Sequence, residues 1–496
     1  MKLKRKSLIA AVLIASLSLA ACGGSAETAT NAPTTNSPTE KAAEQTPVEK
    51  PSDNPASVPE AVTETHTEEA VPEAVTYSDH RVLVVGNAHT HTEYYNSAMP
   101  APDENDPDIL DFEREWSRYQ ALKDAEEKYN VEIRMNSMDM ASTTQSLSNS
   151  AMSSTPDYDY YFNDLQVAIP AVLAGYVKKL EDFVPADNDL WNGQAVFTPL
   201  RINGMPENET YLFMPSQVRH DAFSLGYNKT ILEQKGLPDP LNLWNEGKWD
   251  WQTWRDMLIK TTDITGQKKT TVYGFGGFWS WFLDGMLMSN GASIAAGYEQ
   301  TLTSAPTIEV LDFVNTMYNV DKTAQPWQES WNDNNNFKKG NLAFFVARDW
   351  ILQAVSDDTG YEFGVVPFPV GPSGNKDTNK QDSLTGNVFM LPRNVAEPER
   401  VYNALFDTVN WFNYDTELRD GDLTELEDNV KGKTNLDTIM WMSQPEKTNI
   451  DIWLAINQGD DAFSLVPLMN GEVTPAQLAE TYKNWFQTLL DQAYKK

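Results

Sequence analysis

Arg81-Val82-Leu83-Val84-Val85-Gly86 is a short apolar run closed by glycine, and Val131-Glu132-Ile133-Arg134-Met135 alternates apolar with polar. Between them, Asp111 to Tyr129 carries Phe112, Trp116, Tyr119, Leu122 and Ala125 near helical spacing. A strand, a helix and a strand in that order predict a βαβ unit with a parallel sheet, hence an α/β fold. In such sheets ligands meet the loops beyond the carboxyl ends of the strands.

The chain before this unit is of two kinds. Lys2, Lys4, Arg5 and Lys6 precede an apolar run from Leu8 to Leu19, followed by Ala20-Ala21-Cys22-Gly23. That is the layout of an export signal; the apolar run falls short of the roughly 20 residues that span a bilayer. Cys22 is the only cysteine of the 496 residues, so it has no intramolecular disulfide partner. From Ser25 to Thr76 there are seven prolines, many Thr, Ala and Glu, and no Phe, Trp or Tyr. Such a segment cannot bury enough apolar area to offset its chain entropy. It reads as a solvated tether over residues 23–76, with an r.m.s. reach of roughly 40 Å on flexible-chain scaling.

The formal net charge is −33, of which −29 falls on residues 77 to 496. A body this acidic is a poor partner for phosphate backbones or anionic lipid, which argues against nucleic-acid binding. Its 420 residues exceed what one hydrophobic core serves, so two lobes are expected. Fifteen Trp and nineteen Tyr are more than a core of this size requires.

Several later segments carry a resemblance. They include Asp157-Tyr158-Asp159-Tyr160-Tyr161-Phe162-Asn163-Asp164 with Ala174 to Phe183, Ser224-Leu225-Gly226-Tyr227-Asn228-Lys229, and Gly247-Lys248-Trp249-Asp250-Trp251. Phe337-Lys338-Lys339-Gly340-Asn341-Leu342-Ala343-Phe344-Phe345, Val365-Val366-Pro367-Phe368-Pro369 and Leu468 to Gln477 follow in order. Together they resemble the family 1 extracellular solute-binding proteins, the sugar-capturing components of ATP-driven importers, and the Cys22 segment resembles a bacterial lipoprotein signal (residues 1–22).

The resemblance implies two α/β lobes joined by crossing strands around a ligand cleft, with residues 77–219 and 386–435 in the first lobe. Residues 220–385 and 436–496 would form the second. It implies an acylated Cys22, a lipid-anchored monomer facing outside the cytoplasm, a carbohydrate ligand, an ABC importer's permease subunits as partners, and no cofactor or metal. Matched by local motif, Asp164 falls where relatives bind sugar hydroxyls, Asp221 where they carry a carboxylate in the hinge strand, and Trp350 where they stack a sugar on tryptophan; Asn87, His89 and Tyr94 lie on the loop after the first strand, where the family often places a ligand-facing polar group. Trp279, Trp281 and Trp453 lie in the regions of further aromatic contacts. Trp116, Trp411 and Trp485 are expected in the core.

Other classes find less support. His89-Thr90-His91 after the first strand is how metal-dependent hydrolases begin, but only His66, His80 and His220 remain to complete a metal site. Asp187 with Asp189, and Asn332-Asp333-Asn334-Asn335-Asn336, read as solvated turns before calcium loops. No Gly-x-Ser-x-Gly elbow, phosphate loop or dinucleotide fingerprint is present. With 71 acidic residues, a glycosidase pair of carboxylates is neither supported nor excluded. The same fold binding a peptide or another polar solute, and a surface adhesion protein without a cleft, are the remaining alternatives.

Overall fold

The computed structural model describes residues 76–87, 96–106, 109, 111–202, 205–206, 208–217, 222–264, 272–327, 334–356, 359–383, 386–421, 423–450, 452–457 and 462–494. Cys22, the tether, His89, Tyr94, His220 and Asp221 lie outside them.

The first lobe is built on a six-stranded sheet in the order β2-β1-β3-β13-β5-β4. Its strands are β1 (Arg81–Asn87), β2 (Val131–Ser137), β3 (Tyr160–Asp164), β4 (Phe197–Leu200), β5 (Leu212–Pro215) and β13 (Asn387–Met390). β1 runs parallel to β2 and β3, and β13 returns antiparallel between β3 and β5. The expected βαβ unit is present, with Arg81 opposite Val131 in register. Its helix, Phe112–Tyr129, starts at Asp111, whose carboxylate accepts from the Arg114 N–H at 3.0 Å, and stops at Asn130 in the left-handed region, φ 50°.

Along that helix Leu122, Ala125 and Tyr129 are buried, but Trp116 is 40% exposed, against the expectation that it is core. At about 100° per residue each step of three drifts some 60° around the helix. Trp116, two such steps before Leu122, has rotated off the buried face; it stacks on Phe112 and lies tilted against Tyr119 instead. Trp411 is half-buried, with the Arg118 guanidinium 4.9 Å from its ring centre, and Trp485 packs partly buried on the second lobe's core.

The second lobe carries a four-stranded sheet in the order β11-β6-β10-β7. These are β6 (Ser224–Asn228), β7 (Tyr273–Gly276), β10 (Leu342–Ala347) and β11 (Phe363–Val366). β7 is parallel to β10, while β6 is antiparallel to both of its neighbours. Short ribbons pair β8 (Ala295–Ala296) with β9 (Glu299–Gln300), and β12 (Asp382–Ser383) with β14 (Thr448–Asn449). The Gly-Lys-Trp-Asp-Trp segment opens the helix Trp251–Thr261, capped by Asp250 on the Thr253 N–H at 2.8 Å. Thr474 and Gln477 form a reciprocal capping box on the closing helix Pro475–Ala493.

The chain passes to the second lobe between β5 and β6, returns between β11 and β13, and crosses again earlier than the expected residue 435. Arg419 still bonds the first-lobe carbonyl of Ala195 at 2.9 Å. Val430, Leu436, Ile439 and Met442 are buried with Leu342, Phe345 and Val365 of the second lobe, and Leu423 and Leu426 pack on them. Within the charged stretch 415–433, Leu423, Leu426 and Val430 keep helical spacing, which suffices to seat it on the second sheet.

A candidate ligand cleft edged with tryptophan

The carboxyl ends of β7 and β10 lie side by side because the two strands are parallel, with Phe344 opposite Phe275. Whatever follows each strand is therefore delivered to the same edge of the second lobe.

After β7 the chain turns through Gly277 at φ +147°, where a Cβ atom would come within 2.3 Å of Val346 Cγ1 on β10. Only glycine tolerates both that backbone and that approach. The turn starts the helix Trp279–Ser289 and leaves Phe278, Trp279 and Trp281 half-buried at its amino end. After β10 come Arg348, 3% exposed, and the helix Asp349–Ser356, on whose first turn Trp350 stands 42% exposed.

These side chains meet. Trp350 lies edge-to-face on Trp281, 5.6 Å between centroids at 87°. Phe278 packs edge-on to Trp281 at 5.3 Å and tilted on Trp327 at 5.8 Å. Phe223, just before β6, lies 6.4 Å from Trp281, and the Arg348 guanidinium sits 4.3 Å over its ring. The result is an aromatic edge fixed by ring-on-ring contacts, with Trp350 as its most exposed member.

Phe223, Phe278 and Trp327 were not singled out from the sequence. Ala324, three residues before Trp327, bridges Phe275 of β7 in parallel, so Pro326-Trp327 emerges beyond the same sheet edge. The signal was an aromatic closely following a strand partner, which a single sequence does not reveal without the pairing.

The sequence candidates fall in different places. Trp279, Trp281 and Trp350 are all on this edge, Trp279 lying 6.4 Å from Phe463. Trp453 is fully buried and its indole N–H donates to Asp284 Oδ1 at 2.8 Å. It is a core residue here and offers no surface to a solute. Asp164 ends β3 on the first lobe, half-buried, and accepts from the Gln166 N–H at 2.8 Å as the cap of the helix Leu165–Leu173. Asn87 ends β1, its backbone in register with Phe162.

A physical link joins the two sets. The helix Leu165–Leu173, capped by Asp164, packs on the short helix Trp453–Ile456. Through Trp453 and Asp284 that short helix is bonded to the helix that presents Trp279 and Trp281. The helix capped by Asp164 and the helix that presents the tryptophans are thus linked through Trp453–Ile456.

Among the described residues no group of three or more His, Cys, Asp or Glu side chains comes together as a metal site. Asp189 is used structurally: its Oδ2 accepts from the Val196 N–H at 3.0 Å, and Asn188 caps the turn beside it. No described helix is long and apolar enough to cross a membrane.

Residues 120–402, more than half of the chain, match the family described as bacterial extracellular solute-binding protein. A binding protein of Brucella abortus is 24% identical over 247 residues, 48% of this chain; the match spans only about half, 56%, of that relative's length. Two solved structures show the same fold. An ABC substrate-binding protein of Listeria monocytogenes in complex with cycloalternan superposes with a TM-score of 0.52 at 12% identity, covering 83% of this chain and 99% of its own. UgpB of Mycobacterium tuberculosis in complex with glycerophosphocholine gives 0.54 at 16% identity, covering 76% of this chain and 95% of its own.

Proposed function

Because the chain belongs to the bacterial extracellular solute-binding proteins, we propose that its cleft captures a carbohydrate, an oligosaccharide above all, for an ATP-driven importer. The observation that carries this reading is the exposed Trp350 ring held edge-to-face on Trp281 at the carboxyl ends of β7 and β10. A pyranose offers a flat patch of C–H groups that suits an indole face, and a tryptophan fixed by its neighbours spends little entropy in receiving it. The hydroxyls need paired acceptors, and the Asp164 carboxylate is the acceptor proposed for them.

The Listeria neighbour's ligand, cycloalternan, is a carbohydrate and fits this chemistry. The protein acts by binding and by hinge closure about the crossing segments, with no covalent chemistry, and hands its closed form to the permease. Cys22 carries the lipid that keeps this receptor, a monomer, on the outer face of the cell membrane. Cys22→Ala should leave sugar affinity unchanged and lower uptake as protein escapes to the medium; undiminished uptake with protein in the medium would refute the anchor.

Calorimetric titration of the whole chain with a panel of mono- and oligosaccharides tests the ligand class. Saturable heat with at least one sugar, accompanied by a change in tryptophan fluorescence, is expected. A silent panel would overturn the reading.

A further inference from the structure

The second lobe has a cavity of about 690 Å³ away from the tryptophan edge, lined by Trp244, Trp251, Phe313, Gln252, Asp312 and Lys376 among others. It is separated from that edge by a whole helix. Gly371, on its wall, donates its N–H to the carbonyl of Ser289 at 3.0 Å. Ser289 ends the helix whose first residue is Trp279, and eleven residues at about 1.5 Å each place the two ends roughly 16 Å apart.

The lining has the chemistry of a site for a neutral polyol. Trp251 and Phe313 meet at 4.8 Å as its aromatic floor. The Trp251 side chain is 6% exposed, and its buried indole N–H has no acceptor in the protein. Buried N–H donors are normally paired; this one is sealed within the wall, and the exposed polar groups a ligand hydroxyl would meet are Gln252 and Asp312. Glycine at 371 keeps room beside the same ring: a Cβ there would come within 2.8 Å of Trp251 Cζ2 and 2.2 Å of Asn290 Oδ1.

The charges select against anions. Both cations on the wall are engaged, Arg255 with Asp321 through bonds of 2.6 and 3.0 Å, and Lys376 with the Trp244 carbonyl at 2.6 Å and its ring at 4.8 Å. The carboxylates of Asp250, Glu309 and Asp312 stand around the rim, and Gln252 and Asp312 are exposed there. A few polar groups around an aromatic floor, in a volume within the usual range for small-molecule sites, fit one or two sugar rings.

We propose that the second lobe carries a second carbohydrate site at Trp251, Phe313, Gln252 and Asp312, distinct from the interlobe cleft. Its role would be to hold one part of a long glycan while the cleft takes another end or a neighbouring fragment, raising the local ligand concentration by bivalency.

The test is the indole N–H resonance of Trp251, assigned by its loss in Trp251→Phe, in the whole chain labelled with ¹⁵N-tryptophan. The probes are maltotetraose, cellotetraose and xylotetraose. A saturable shift of this resonance with at least one of them is expected, retained in Trp350→Ala and weakened at least tenfold in the exposed double variant Gln252→Ala/Asp312→Ala. No shift with any probe, or a shift abolished by Trp350→Ala, would overturn the second site. A shift at Trp251 with silence at Trp279, Trp281 and Trp350 would support it while refuting the cleft reading, so the two fail separately.

Discussion

Replacing Trp350 by alanine removes the most exposed ring of the cleft edge and little else. With 42% of the residue exposed, and some 250 Å² as a generous area for a tryptophan, about 100 Å² is available to a stacked sugar. At about 25 cal/mol per Å² that surface is worth at most about 2.6 kcal/mol, and ordering costs trim it. The expected loss of affinity is therefore about 1 to 2.5 kcal/mol, or roughly 5- to 70-fold. The fold should survive, since Trp350 is partly exposed and its edge-to-face contact with Trp281 is worth on the order of 1 kcal/mol. Calorimetry with the best sugar of the panel, repeated on Trp350→Phe, gives the measurement, with an intermediate loss expected for the phenyl ring. Affinity unchanged in a folded Trp350→Ala protein would refute the argument that this ring is a sugar platform.

Three further outcomes follow from the packing. Gly277→Ala combines φ +147° with a 2.3 Å approach to Val346 and should lower stability by about 1 to 3 kcal/mol in urea unfolding; a neutral result would mean the turn can relax without cost. Trp453→Phe deletes the donor to Asp284 Oδ1 inside the core and should lower stability by about 1 to 3 kcal/mol, with sugar affinity reduced far less than by Trp350→Ala. The reverse order would return Trp453 to the binding surface. In alkaline titration followed by near-ultraviolet absorbance, Tyr129 should lag, its phenol pushed up to about 12 by burial; Tyr227, raised by burial and by the Asp239 carboxylate beside it, should lag with it. Because these pKa values are raised above the unfolded value of about 10, the folded state holds the protons longer and stability falls as pH climbs from about 10 toward 12. Reversible ionisation of every tyrosine near 10 with the fold intact would contradict this.

Much of the fold was legible because local rules and global topology agree. Residues 81–86 and 131–135 read as strands from their patterning alone, and pair in parallel across a helix capped by Asp111. Asp250 and Thr474 are cap-type residues that stand at the starts of their helices. What failed were judgements about faces and partners. Trp116 keeps a spacing that looks continuous with Leu122 yet drifts off the buried side. The charged stretch 415–433 hides an apolar stripe that moves a lobe boundary. The cleft edge was half legible. Trp279, Trp281 and Trp350 were named as candidates through motif position, whereas Phe223, Phe278 and Trp327 join them only because strands distant in sequence end at one edge. Trp453 shows the converse, a tryptophan in the expected neighbourhood turned inward by one buried carboxylate.

The central claim is that the solute is a carbohydrate, and native mass spectrometry of the whole chain, offered a mixed pool of partially hydrolysed polysaccharides and short peptides together, tests it without prior choice of ligand. The account predicts saccharide adducts whose number per chain is lowered, without falling to zero, in Trp350→Ala. A stoichiometric peptide adduct in its place, or no adduct from either pool, would contradict it.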